Sequence, residues 1–165
     1  MKNSSPPAIK VRPASSQDLG EILAMTAELA EFEGLTDLMV ATESDYEAAL
    51  FGDNPAASAL VAELGDEVVG YAIYFRTFST FIGKAGIWLE DLYVRADHRQ
   101  KGIGKALLKA VGTVAEESGA QRYEWSVLDW SQNAIDVYER MGGEILNEWR
   151  IVRMDRKALE ALSKK

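Results

Sequence analysis

The stretch IWLEDLYVRADHRQKGIGKALL, residues 87–108, decides how the whole chain is read. It opens as an apolar run broken by two adjacent acids, Glu90 and Asp91, crosses a charged turn, and enters the basic loop Arg99-Gln100-Lys101-Gly102-Ile103-Gly104. Ile103, Leu107, Ala110, Val111 and Val114 then recur at helical spacing, so a helix begins inside the glycine loop. The first amides of such a helix lack partners within it and lie at its positive end, where an anion meets donors already aimed at it. Glycine lets the backbone come close, and Arg99, Lys101 and Lys105 add positive charge. A strand, an anion loop and a helix in that order read as a phosphate-binding unit.

Two nucleotide-binding alternatives fail on spacing. Position 99, five residues before Gly104, is arginine, and Lys105 is followed by alanine, so this is not a Walker A loop. The third glycine of a dinucleotide fingerprint would fall at Leu107.

Outward from this unit, Ala8–Arg12 alternates as a short strand that Pro13 ends, and Ser15 or Ser16 can cap a helix running to about Phe32 or Glu33. Thr42 or Ser44 caps a second helix through Phe51. Ala59–Leu64 and Val68–Phe75 are strand candidates joined at Gly65-Asp66-Glu67 as a hairpin. Residues 77–86 show no clear period and read as a loop. Arg122–Leu128 reads as a strand, Gln132–Met141 as a helix, Glu144–Leu146 and Trp149–Met154 as a last strand pair, and Asp155–Leu162 as a closing helix. The expectation is a mixed α/β domain over residues 8–165, preceded by a loose polar tail at 1–7.

The 165 residues suffice for one core without disulfides or metals, and 47% hydrophobic with 27% charged residues is ordinary globular composition. With no cysteine and a single histidine, His98, the chain cannot build a structural zinc site or a thiol nucleophile, so no metal is expected. His98 lies in a charged turn and is expected to be exposed and non-catalytic. The N-terminus lacks a signal peptide's apolar segment and no run is long enough to span a bilayer, so the expected setting is the cytoplasm, without membrane contact. A net charge of −8 argues against nucleic acid and suits a cationic partner.

LEDLYV, RQKGIG and the downstream segment from Asp129 to Gly142 together resemble the GNAT superfamily of acetyl-CoA-dependent N-acetyltransferases. VRPASSQD at 11–18, ELAEFE at 28–33, Leu89-Glu90-Asp91, LDWSQNAIDVY and Trp149-Arg150 are similar, more narrowly, to its diamine and thialysine N-acetyltransferase branch. The resemblance spans about Val11 to Asp155. It implies a mixed, mostly antiparallel sheet with helices on both faces and a bulged, splayed central strand. It also implies acetyl transfer from acetyl-CoA to a primary amine in a ternary complex. Amides of Leu92, Tyr93 and Val94 would meet the pantetheine, and the loop Arg99, Gln100, Lys101, Gly102, Ile103, Gly104 and Lys105 the pyrophosphate. Ser131, Gln132, Asn133, Ala134 and Met141 match the third cofactor-contacting segment. Phe32, Glu33, Glu90, Asp91, Glu124, Trp125, Ser126 and Glu148 match positions that contact the amine.

An alkyl amine of pKa ~10 arrives protonated and needs a proton acceptor before it can attack. Glu90 matches the glutamate given that role, and Tyr138 matches the tyrosine whose phenol protonates the departing thiolate. Neighbours on a regular strand face opposite sides, so Glu90 and Asp91 share a site only if their strand bulges. Taken singly, Glu33 and Glu124 read equally well as solvated surface acids. Homodimerisation is common in the family, and the apolar C-terminal strands are the candidate interface. Acetylation of a protein or peptide amine is the second reading, and a non-catalytic acyl-CoA-binding module the third; Glu90 with Tyr138 favours an enzyme.

Overall fold

The computed structural model describes residues 8–164, so the expected tail at 1–7 lies outside the described residues. The described chain divides between Ser126 and Val127 into two compact units. The first holds strands β1 (Ile9–Pro13), β2 (Ser58–Leu64), β3 (Glu67–Ser79), β4 (Lys84–Val94) and β5 (Arg122–Glu124), with helices α1 (Leu19–Glu33), α2 (Glu43–Phe51) and α3 (Ile103–Glu117). The sheet runs in chain order; every neighbouring pair is antiparallel except β4 with β5, which is parallel.

Helices cover both faces. On one, Leu19, Ile22 and Met25 of α1 and Leu50 of α2 close over Val61, Tyr71, Ile73 and Tyr93. On the other, α3 buries Ile103, Leu107, Leu108, Val111 and Ala115, the stripe its spacing predicts. Gly70 is what admits α3 so closely. A Cβ there would stand 2.9 Å from the Tyr93 carbonyl and 3.1 Å from Leu107 Cδ1, contacts that no larger residue tolerates.

The expected bulge is present in β4. Asp91 pairs with Ile73 and Leu89 with Tyr74, leaving Glu90 as an extra residue opposite no partner. The expected splay is present too. β5 pairs with β4 only at Gly86, Ile87 and Trp88, and among the described residues no strand takes the outer edge of β4 from Leu89 to Val94.

Three expectations need correction. Residues 77–86 are not a loop: β3 and β4 pair out to Ser79 and Lys84, leaving only a short turn between them. The strand at Arg122 ends at Glu124, where its pairing with β4 ends. The last strand pair does not form. In the second unit, α4 (Gln132–Arg140) and α5 (Arg156–Ser163) are helical, and the backbone bonds of the chain between them are local, Asn147 N–H to Ile145 O and Trp149 N–H to Leu146 O. A strand exists only where a neighbour takes its amides, and none does so among these residues. No helix among the described residues is long and apolar enough to cross a membrane.

The start of α1 is tied to the sheet edge through Asp18. Its carboxylate accepts from both terminal nitrogens of Arg12, at 2.8 and 2.9 Å, and from the Ser15 amide at 2.7 Å. Arg12 also donates to Glu63 on β2. The Arg12 guanidinium, foremost, holds the Asp18 carboxyl down at about 2. The folded state therefore binds the Asp18 proton more weakly than the unfolded chain does, and the stability this confers is full above about pH 4 and lost as pH falls toward 2. Asp18→Asn is expected to cost on the order of 2 kcal/mol at neutral pH. In denaturant melts over a pH series, the gap from the parent protein should close as pH falls through that window.

Candidate active site

The β4 bulge decides what faces the cleft between α1, α2 and the sheet. Leu92 and Val94 lie beside Gly104 of α3. Leu89 pairs with Tyr74, which shares the α3 face with Gly70. Asp91 and Tyr93, paired with Ile73 and Tyr71, face α1 and α2 instead. A regular strand would put Leu89 and Leu92 on opposite faces. With one residue added at Glu90 they share the α3 face, and both acids reach the cleft.

That cleft has a volume of about 590 Å³. Thr26, Leu29, Ala30 and Glu33 line it from α1, Asp45 and Tyr46 from α2, and Glu90 and Asp91 from β4, while Leu35 and residues 38–41 form its remaining wall. Four carboxylates line it and no lysine or arginine does. The field within it favours a cation.

The acids are held differently. Glu90 Oε2 accepts the indole N–H of Trp88 at 3.0 Å. Asp91 is mostly buried and has no hydrogen-bond or ion-pair partner among the described residues. The Tyr46 phenol donates to Thr26 Oγ1 at 3.2 Å, and that hydroxyl also lies 3.0 Å from the Tyr71 phenol and 2.9 Å from the Ile22 carbonyl. Burial first, and then the charges of Glu90 and Glu33, push the Asp91 carboxyl up to about 6. Burial, with the Asp91 charge also acting, raises the Tyr71 phenol.

Of the other positions matched to the amine, Phe32 stands outside the cleft lining. It lies under the Arg99 guanidinium, 4.9 Å from its ring centre, and the same guanidinium is 5.3 Å from the Tyr93 ring and donates Nε–H to the Val94 carbonyl. Glu124, on β5, pairs with Arg122 at 3.2 Å, and Trp125 tilts against the Tyr123 ring at 4.9 Å; Ser126 ends the first unit. Glu148 belongs to the second unit and is exposed. His98, expected to be exposed, is only 19% so, with Nε2 3.7 Å from Glu67.

The sequence reading did not include Asp45, Tyr46, Thr26 or the wall at 35–41. Asp45 is part of a capping box with Thr42, so its helix-start role accounted for it fully. The stretch LTDLMVA, residues 35–41, carried the available signal: an apolar run between two helices with no period of its own.

Beside the cleft lies the anion loop. Gly102, at φ 84°, caps α3 in the left-handed region, and Gln100 adopts φ 62°, a strained value for a residue with a side chain. A Cβ at Gly104 would meet only ordinary contacts, 3.7 Å from Leu92 and 3.8 Å from Val94. The fold itself therefore does not require glycine there, although glycine weakens a helix relative to alanine. Space left open at a helix start beside an unpaired strand edge fits a phosphate-bearing group with an extended, amide-rich arm. Arg99 is already committed to the Val94 carbonyl and two rings, and Lys101 Nζ donates to the Asp97 carbonyl.

In the second unit, α4 carries Gln132, Asn133, Ala134 and Tyr138, with Ser131 before it and Met141 after it. Burial raises the Tyr138 phenol above its ordinary value, so it is protonated at neutral pH and able to donate.

Residues 23–143 match the acetyltransferase (GNAT) family. A thialysine N-epsilon-acetyltransferase of Sus scrofa is 37% identical, the match covering 96% of this chain and 99% of that protein. The L-ornithine N5-acetyltransferase NATA1 of Arabidopsis thaliana is 32% identical over 94% of this chain and 88% of that one. Among solved structures, the V. cholerae integron cassette protein VCH_CASS6 superposes with a TM-score of 0.79 at 24% identity, covering 95% of this chain and 98% of that one. That likeness is one of fold.

An unpaired carboxylate inside a wall of other acids weakens the fold that holds it. Because folding raises the Asp91 value, the folded state binds this proton more tightly than the unfolded chain, and stability is lost as pH rises from about 4 through 6. Asp91→Asn is expected to raise the melting temperature above pH 6, by the equivalent of about 2 kcal/mol, and to leave it unchanged near pH 4. Thermal melts at the two pH values check this.

Proposed function

Since the chain belongs to the GNAT acetyltransferase family and is an acyltransferase, we propose that it moves an acetyl group from acetyl-CoA to a primary amine of a small cationic acceptor, of the thialysine, ornithine or polyamine kind. The single observation that carries this reading is the cleft lined by Glu33, Asp45, Glu90 and Asp91 with no basic residue among them. A cationic chain with an aliphatic stem suits it, because the facing wall of Leu29, Leu35, Leu38, Met39 and Val40 is apolar. The relatives named for thialysine and ornithine acetylation support the same class.

When bound, acetyl-CoA supplies the thioester carbon that the amine attacks. The chain's part is to bind, orient and move protons. Gln100 through Lys105 would hold the pyrophosphate with amides at the start of α3, and Leu92 through Val94 would offer the free edge of β4 to the pantetheine arm. Ser131, Gln132, Asn133, Ala134 and Met141 match the third cofactor-contacting segment of the family. Glu90 and Asp91 draw in the ammonium, with Glu90 the proton acceptor that the resemblance implies; Phe32, Glu33, Glu124, Trp125, Ser126 and Glu148 are the further candidate contacts to the acceptor. Tyr138 is the proton donor to the departing thiolate, a role its protonated phenol suits. The cysteine-free composition agrees with a cytoplasmic setting.

Thiol release from acetyl-CoA, measured with a panel of diamines, basic amino acids, thialysine and lysine-bearing peptides, should appear with the small amines. Release with peptides alone would replace the small-amine reading, and cofactor binding without release would indicate a non-catalytic module. In the same assay Tyr138→Phe should lower turnover while leaving acetyl-CoA affinity nearly unchanged. The same reading includes a homodimer, for which the exposed apolar residues Trp149, Ile151, Val152 and Met154 are the candidate interface. Light scattering is expected to return twice the chain mass, and a monomer at working concentration would remove that part.

A further inference from the structure

We propose that Asp91 is the proton acceptor of the transfer and that Glu90, held by Trp88, is the anchor for the incoming cation. The division of labour rests on the amine acetylation proposed above and goes beyond it, because sequence matching assigns the acceptor role to Glu90.

The bulge brings both carboxylates into one cleft, and their surroundings then separate them. Glu90 is exposed, and one of its oxygens is fixed by the Trp88 indole at 3.0 Å, leaving the other directed by that bond and free for an ammonium. Such a group orients charge. Asp91 lies deeper, and among the described residues no donor reaches either of its oxygens; the Tyr46 phenol gives its proton to Thr26 instead. The groups facing it are Glu33 from α1, Asp45 and Tyr46 from α2, Tyr71 from β3 and Glu90 beside it; none is a cation. A carboxylate so placed gains from taking a proton what Glu90 gains from a partner. Its carboxyl is pushed up to about 6, near the operating range where a general base is most effective.

The step balances without further reactants. Asp91 takes one proton from the ammonium, leaving the lone pair on nitrogen. That pair forms the C–N bond as the C–S bond breaks, the sulfur keeps the bonding electrons, and the thiolate takes the proton of Tyr138, whose phenolate regains one from water. Asp91 returns its proton to water through the open mouth of the cleft.

The test is the pH dependence of kcat and kcat/KM for an amine that the wild-type protein acetylates. The wild type should show an acid limb near pH 6 in kcat/KM, falling as Asp91 of the free protein is protonated, and a limb at lower pH in kcat, where the bound cation offsets the neighbouring acids. Asp91→Asn should lower kcat by roughly 10²- to 10⁴-fold with little change in KM, and abolish the limb. Glu90→Gln should raise KM for the amine and keep the limb. Glu33→Gln removes a charge that repels the Asp91 carboxylate, so its limb should move to lower pH. That third readout serves even where Asp91→Asn fails to fold. An Asp91→Asn protein that keeps its turnover and acid limb, a limb abolished by Glu90→Gln, or a limb unmoved in Glu33→Gln would each overturn the assignment while leaving acetylation standing. A wild-type protein inert toward every amine overturns acetylation itself.

Discussion

One inserted residue governs the geometry of the site. β4 is covered on both faces, by α1 and α2 on one side and α3 on the other, so its side chains must be apolar toward α3 and can be polar only where the cleft opens. Without a bulge, strict alternation would send Asp91 to the same face as Leu89 and put Leu92 with Glu90. Glu90 breaks the alternation. Ile87 and Leu89 before it and Leu92 and Val94 after it then all reach the α3 side, and the change of parity falls on the two acids. The irregularity costs a ladder position and yields a site that a regular strand cannot build.

The two edges of the same strand are treated differently. Its inner edge is paired with β3 along its whole length, so it is fixed; its outer edge is held by β5 for three residues and then released. The release leaves backbone groups facing outward next to the start of α3, while the side chains of that stretch reach the cleft or α3. Arg99 joins these regions. Its guanidinium lies against Phe32 at the end of α1 and Tyr93 on β4 while Nε donates to the Val94 carbonyl, so anion loop, strand and acceptor helix share one clamp. A change in the loop therefore reaches α1, and with it Glu33, through packed contacts rather than through solvent.

What the sequence made legible follows the range of the forces involved. The α3 stripe and the Thr42 cap of α2 are local patterns, and they stand where they were read, whereas α1 starts at Leu19 behind a short turn over Ser16–Asp18 rather than directly on Ser15 or Ser16. The bulge was legible for a different reason: the resemblance implied it, and alternation adds that two adjacent acids share one site only where it breaks. The errors concern pairing. At 77–86 the residues Thr77, Phe78 and Ser79 carry no period, and their strand exists because Gly86, Ala85 and Lys84 lie across from them. At 149–154 the β-rich residues are present, yet no partner strand is, and propensity alone does not make a strand. Asp45 was hidden by having a sufficient local role. A carboxylate that caps a helix gives no sign in sequence that it also faces a cleft.

Clustering acids couples attraction to proton affinity. Each carboxylate added to the wall strengthens the field that draws an ammonium in, and each also disfavours ionisation of the most buried member, Asp91. Arrival of the cation reverses the second effect, since a positive charge among Glu33, Asp45 and Glu90 offsets their repulsion of the Asp91 carboxylate. On the assignment proposed above, the pocket would ionise Asp91 most fully with an ammonium bound, and the proton transfer that follows would remove the positive charge that made it possible. The acetylated nitrogen would be a neutral amide, so the acids around it would lose the charge that offset their repulsion, and loss of hold on that nitrogen and recovery of Asp91's proton affinity would be two aspects of one electrostatic change.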